Sequence, residues 1–418
     1  MTKPALSTPV LFHNGLLIDG TGGDPLASGA VLVEDGVVRW AGPDAEIPAE
    51  LPQGTRRINV RGDAILPGFI DCHVHMVAPG GAFNHAALAA MPKTLQTFLS
   101  APRMKATLEA GVTTVRDLAG ADAGHKKAVE QGLVVGPRLQ IAVAMLSPTG
   151  GHGDMRMVED NRDCDPAMSR LADGVPEARR AVRDVLRKGA DVIKIAATGG
   201  VWSPTDQPDD DGFLEDEIRT IVDIAAGHRG KKVTAHAQGK DGILNALHGG
   251  CASIEHGYEI TDEGIDLMLQ NDVFLVPTLT TLNTDPDPTK ATSVQYAKKR
   301  HWQEVGRAHI RHAIERGVRV AMGTDCGIAE HGTNLRELAY LVEYGMTPMG
   351  AIKAGTSEAA ELIGLADELG TLEPGKRADV VIARGNPLED ITSLSKPENV
   401  LLVMKDGTTY KDLDGLTA

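Results

Sequence analysis

The chain has 418 residues, room for one large domain and a small one. Its 47 glycines and 3% aromatic content point to many tight strand–helix turns around an aliphatic core. A formal net charge of −15 argues against a sequence-independent grip on nucleic acid or on an anionic membrane surface.

The first ten residues lack a basic segment followed by an apolar one, so no signal peptide is expected. No apolar run approaches the ~20 residues of a membrane helix. Cys72, Cys164, Cys251 and Cys326 form no C-x-x-C pair, and a reduced, cytoplasmic protein is the simplest expectation.

Residues 1–64 read as short strands and turns. Ala30–Val33 and Val37–Trp40 face each other across Glu34-Asp35-Gly36, a hairpin signal. From Ile65 to about Gly355, short β-rich runs alternate with helical stretches, which favours a parallel sheet wrapped by helices. Eight strands are expected: Ile65–His75, Val112–Leu118, Arg138–Ala144, Asp191–Ala196, Lys232–Ala237, Ser253–His256, Val273–Thr278 and Arg319–Asp325. Pro176–Lys188 and Leu214–His228 are two of the clearer helices. The predicted fold is α/β, a (β/α)8 TIM barrel over residues 65–369. An open doubly wound sheet is the alternative, though no G-x-G-x-x-G follows a first strand. Strand character returns at Asp379–Ala383 and Val400–Met404. Residues 1–64 and 370–418 are therefore expected to build one small β-sandwich domain together. The Pro/Asp-rich loops Pro204–Gly212 and Asn283–Thr292 would lie over the barrel mouth.

The chemistry gathers at the predicted strand ends. Strand 1 ends His73-Val74-His75, and side chains at i and i+2 share one face of a strand. Lys194 interrupts the apolar fourth strand. His236 ends the fifth, His256 the sixth and Asp325 the eighth. Imidazoles and carboxylates suit zinc and similar divalent ions. Four histidines and an aspartate exceed one catalytic zinc and suit two metals with a bridge. A lysine buried beside two cations is driven to the neutral amine. That amine can take up carbon dioxide as a carbamate, whose two oxygens can bridge two metals. Taken singly, each residue has a plainer role: a snorkelling lysine, a structural histidine, an aspartate capping a helix. Their joint placement at five strand ends favours the metal centre.

These residues resemble the amidohydrolase superfamily. Pro67-Gly68-Phe69-Ile70-Asp71-Cys72-His73-Val74-His75 is similar to its first-strand signature, and Gly370–Ile382 to its return into the small domain. Gly189–Ile195 with Thr198-Gly199-Gly200, and Ile254–Tyr258, resemble the metal-dependent Xaa-Pro dipeptidase (prolidase-like) and N-acyl-amino-acid hydrolase branch. The resemblance implies a binuclear centre bridged by carboxylated Lys194. His73, His75 and Asp325 would hold the more buried metal, and His236 and His256 the more exposed one. Zinc is the first expectation, with cobalt and manganese also compatible. His152 and Tyr258 match positions that contact the substrate's free α-carboxylate, and Val201 would present backbone groups to the substrate. The implied reaction is attack by a metal-bound hydroxide on an amide of an Xaa-Pro dipeptide or N-acyl amino acid, with Asp325 carrying the proton. The expected partner is a small carboxylate-bearing substrate. The resemblance also suggests a homo-oligomer, an octamer among the options.

Three rival readings stand beside this one. A mononuclear deaminase or ring-opening hydrolase would leave Lys194 idle, and Gly239 stands where many such deaminases carry a glutamate. A carbamate, arylurea or amide-toxin hydrolase would use the same centre with different loops. A non-catalytic scaffold would have no need of a buried lysine among four histidines.

Overall fold

The computed structural model describes residues 8–81, 88, 91–154, 168–201, 203, 206–285 and 293–416. Cys164, and residues 204–205 and 286–292 of the two predicted mouth loops, lie outside the described residues. The chain divides into two units. One runs through Asp71 and takes in Lys105–Thr114 and Gly332–Ala418; the other comprises Cys72–Met104 and Val115–His331.

In the first unit, strands from both chain ends join one hydrogen-bonded sheet of eight. Val10–Leu17 pairs antiparallel with Leu26–Glu34, which pairs with Val37–Pro43. Arg56–Asn59 and Ala64–Pro67 run parallel to Val10–Leu17. Val380–Ala383 docks antiparallel on Ala64–Pro67 and continues into Val400–Lys405 and Thr408–Asp412. The predicted hairpin is present, with Glu34 opposite Val37 and positive φ at Asp35 (52°) and Gly36 (78°). Two successive left-handed residues match the strand twist, which is why Asp-Gly serves here. Phe12, Val31, Val38, Ile65, Val380 and Leu402 belong to its buried core.

The predicted strand Ile65–His75 is two strands. Ala64–Pro67 belongs to the end sheet, and Phe69–Val74 pairs instead with Val112–Asp117. Gly68 makes the break, its N–H donating to Asp379 O at 2.8 Å. A Cβ at Gly68 would lie 2.3 Å from Thr113 Oγ1, so only glycine fits that close approach.

The second unit carries a parallel sheet in the order Ser169–Leu171, Met145–Ser147, Ile193–Ala196, Val233–Ala237, Ser253–His256 and Phe274–Val276. Ile193–Ala196, Val233–Ala237 and Ser253–His256 are buried at every position, the expected pattern for strands covered on both faces. Phe69–Val74, Val112–Asp117 and Arg138–Ile141 form a separate three-stranded ladder. Helices alternate with these strands. In Gly174–Arg187 the buried residues Ala178, Ala181, Val182 and Val185 fall on one helical stripe. In Glu215–Ala226 the buried carboxylate of Glu217 accepts from Gly174 N at 2.7 Å and Leu214 N at 2.8 Å.

Two differences from the expected strands bear on the site. Arg138–Ala144 ends at Ile141, and positive φ at Val143 (70°) turns the chain into the additional strand Met145–Ser147. The predicted eighth strand, Arg319–Asp325, forms no regular ladder among the described residues: single bridges join Leu275 with Val320 and, just past the segment, Val74 with Cys326. Cys72 N donates to Met322 O at 2.8 Å and Asp325 N to His73 O at 2.8 Å, so the segment still follows the His73 strand. Among the described residues, no helix is long and apolar enough to cross a membrane.

Candidate metal centre and active site

The nine residues singled out from sequence line one pocket: His73, His75, His152, Lys194, Val201, His236, His256, Tyr258 and Asp325. His73 and His75 both turn toward Asp325, whose Oδ1 lies 3.7 Å from His73 Nε2 and 3.3 Å from His75 Nε2. One ligand-type atom from each of these three falls within 4.8 Å of the others. The ring centres of His73 and His256 are 5.1 Å apart, those of His236 and His256 4.6 Å. His152 stacks on His236 at 4.0 Å, and Tyr258 meets the His256 ring edge-on at 5.6 Å. Cys72 and Cys326 are buried outside the pocket lining.

Each strand-end imidazole has one nitrogen committed to the protein. His73 Nδ1 bonds Glu255 Oε2 at 2.8 Å, and His75 Nδ1 bonds Ala119 O at 3.1 Å. His236 Nε2 bonds Gly199 O at 2.9 Å, and His256 Nδ1 bonds Thr278 Oγ1 at 2.7 Å. Such partners fix the ring and its tautomer, as around histidines that ligate metals. Burial pushes His73, His236 and His256 well below the ordinary imidazole value, with Lys194 adding to the effect. They are thus in the neutral form a metal requires. At His75 burial acts in the same direction, but the bond to Asp325 and the charges of Asp325 and Asp117 outweigh it and raise the value.

Lys194 is the orphan of the site. It is 2% exposed, and its Nζ has no hydrogen-bond partner among the described residues. Burial pushes its ammonium down to about 8 despite the opposing pull of Glu255. An unpartnered buried amine beside four imidazoles and a carboxylate fits a divalent-metal centre with a lysine-derived bridge.

Backbone strain helps bring these groups together. His256 has φ of 74° and Asp325 φ of 58°, both left-handed and both non-glycine. On a regular strand, Glu255 and His256 would face opposite sides. Here both reach His73, one by hydrogen bond and one by ring contact. Such outliers cost of order 1–3 kcal/mol each and cluster where function over-determines them.

Several participants carry no motif. Glu255 bonds His73 through Oε2 and pairs with Arg116 Nη2 through Oε1 at 2.8 Å. Arg116 also donates from Nε to Cys72 O at 2.6 Å. Thr234 and Ser253 hydroxyls complete the shell of Glu255 Oε1. Lys299 lines the pocket as well, and burial pushes its ammonium down to about 7. The available signal was a charged residue inside an apolar run, which Arg116 and Glu255 share with Lys194.

Parallel strands alternating with helices bring histidines, a lysine and an aspartate together at the strand ends, a donor set that suits a divalent metal. The chain belongs to the amidohydrolase family, whose pattern matches residues 64–410. It is similar to the ochratoxinase of Aspergillus niger, 35% identical over 424 residues, 96% of this chain and 86% of that protein. A solved prolidase complexed with N-methylphosphonate-L-proline matches with TM-score 0.89 at 35% identity, over 97% of this chain and 100% of that one. A Xaa-Pro dipeptidase with bound methionine in the active site matches with TM-score 0.87 at 32% identity, over 96% and 100%.

Proposed function

We propose that this protein is a binuclear metal-dependent amidohydrolase that cleaves N-acyl amino acids or Xaa-Pro dipeptides bearing a free α-carboxylate. It would do so on a (β/α)8 barrel whose eighth stave is the 319–325 segment. The observation that carries the reading is Lys194, a buried amine without a hydrogen-bond partner set among four oriented imidazoles and Asp325. A single metal would need only His73, His75 and Asp325 with one more donor. A second explains why His236 and His256 are held in the same way. Two relatives support the substrate class by what their structures contain: a proline phosphonate and methionine.

His73, His75 and Asp325 would hold one cation and His236 and His256 the other, with carboxylated Lys194 between them. Bound there, the cations would polarise the scissile carbonyl and acidify a water toward neutral pH. Asp325 takes the proton that the attacking water releases and delivers it to the amide nitrogen as the C–N bond breaks. Glu255 keeps His73 oriented throughout. His152 and Tyr258 donate hydrogen bonds to the substrate carboxylate, and Val201 borders it. The nucleophile is water-derived, so no serine or cysteine takes part.

The test is a screen of metal-reconstituted protein against N-acyl amino acids and Xaa-Pro dipeptides, with metal per subunit measured alongside. Turnover of carboxylate substrates with two metals per subunit is expected. A second reading, an amide-toxin hydrolase on the same centre, is favoured by the ochratoxinase likeness over 96% of the chain. Inclusion of bulky aromatic amides in the screen separates the two.

A further inference from the structure

Helix Ser293–Glu315 carries two adjacent lysines, Lys298 and Lys299, and both are buried. Lysine is almost never fully buried unless paired. The two point to different places, as consecutive helical residues must. Lys298 Nζ donates to Gly200 O at 3.1 Å, Ser203 O at 3.2 Å and Asp206 O at 2.6 Å. That satisfies all three of its protons. It ties the helix to the segment that carries Val201 and touches His152.

Lys299 is different. It is 1% exposed, yet its Nζ has one hydrogen bond among the described residues, to Thr281 O at 2.5 Å. An ammonium has three donors, so two are left over among the described residues. The side chain lines the pocket together with Thr281, Tyr258 and Asp325. The same helix face continues with Gln303, whose Nε2 donates to Leu282 O at 2.8 Å. Two turns beyond Lys299, a Cβ at Gly306 would lie 3.2 Å from Tyr258 Cδ1. Lys299 therefore belongs to the wall that carries Tyr258.

A carboxylate drawn out of water needs a charge-assisted partner. Tyr258 supplies a neutral donor and His152 an imidazole one, and neither side chain is a lysine or arginine. Of the two lysines lining the pocket, Lys194 is assigned to the metals. We propose that Lys299 is the basic residue that pairs with the substrate's free carboxylate, acting from the Tyr258 wall as a specificity-determining residue. The assignment rests on the carboxylate-bearing substrate class proposed above.

The test compares Lys299→Met and Lys299→Arg with the unaltered protein, all metal-loaded, on N-acetyl-L-proline and on its carboxamide. Lys299→Met should raise KM for the acid about 10–100-fold, the size of a lost charge-assisted bond. The carboxamide should change by less than about threefold, and Lys299→Arg should recover part of the loss. Calorimetric binding of L-proline, the amino-acid product, should weaken in parallel. Equal losses on acid and carboxamide would mean that Lys299 only braces Thr281, and no change on either would mean that it does not touch substrate. Both overturn the assignment while the substrate class stands. If the unaltered protein shows no preference for the acid, the substrate class falls and Lys299's part in it falls too.

Discussion

Glu255 Oε2 lies 2.8 Å from His73 Nδ1, and both side chains are buried. The other oxygen of Glu255 pairs with Arg116, which also holds the carbonyl of Cys72, next to His73. One carboxylate thus joins a candidate ligand to a buried cation and to the strand that carries that ligand.

Glu255→Gln keeps the shape and removes the charge. Arg116 would then be a buried cation without its counter-ion, a change worth about 3–5 kcal/mol. His73 would face a neutral amide in place of its carboxylate partner, and loss of such a partner typically lowers metal affinity 10–100-fold. Both effects are expected, in chemical denaturation of the metal-free protein and in metal titration. Unchanged metal affinity would show that Glu255 serves only Arg116.

Lys194→Ala separates the metal role of the lysine from any structural one. Its Nζ makes no hydrogen bond among the described residues, so the metal-free variant should be as stable as the unaltered protein or more so. Added zinc should raise the melting temperature of the unaltered protein, as any ligand of the folded state does. The variant should gain less and should hold fewer than two metals per subunit. A full complement of two metals by elemental analysis removes the bridge.

Much of this site was legible in the sequence because strand periodicity is simple. The spacing of His73 and His75 put both on one face, and both turn to Asp325. The predicted ligands Lys194, His236 and His256 lie on three neighbouring strands, paired Ala196 to His236 and Ala237 to His256. Alternation failed where φ turns positive. Nothing in Ser253–Tyr258 announces that His256 is left-handed, and so Glu255 had no assigned part. Lys299 was hidden for another reason. Its contacts are with Thr281 and with the pocket, and no local pattern in a polar helix reports a long-range burial. The eighth strand reads as β from its composition, but single bridges join it to its neighbours, and Gly323 in its middle packs close to His73. A Cβ there would lie 2.9 Å from His73 Cβ.

Thr278 tests the strained partner of His256. Its φ is 50°, and its hydroxyl bonds His256 Nδ1 at 2.7 Å. Thr278→Val keeps the shape and removes the oxygen. The His256 ring then loses its tautomer-fixing contact, and affinity for the more exposed metal should fall about 10–100-fold. Competition with a chromogenic chelator should show one site weakened and the other retained. Unchanged affinity at both sites would show that Thr278 does not orient a metal ligand.

Asp325 is predicted both to hold metal and to move a proton, and the two roles can be separated. Burial alone would raise its pKa, but the bond from His75 and the electrostatic pull of the neighbouring imidazoles and Lys194 outweigh that and hold it below the usual carboxylate value. A carboxylate held ionised is a sound ligand and is ready to receive a proton. Asp325→Asn retains one oxygen for a cation and cannot accept the proton. The variant should keep most of its metal while kcat falls by about 10²–10⁴-fold, the usual worth of a positioned acid–base group. Metal per subunit and kcat must be measured on the same preparation, because metal loss alone would also reduce turnover. An Asp325→Asn protein with two metals and near-normal kcat would assign the proton transfer elsewhere, and His152, stacked on His236 at 4.0 Å, would be the next residue to replace.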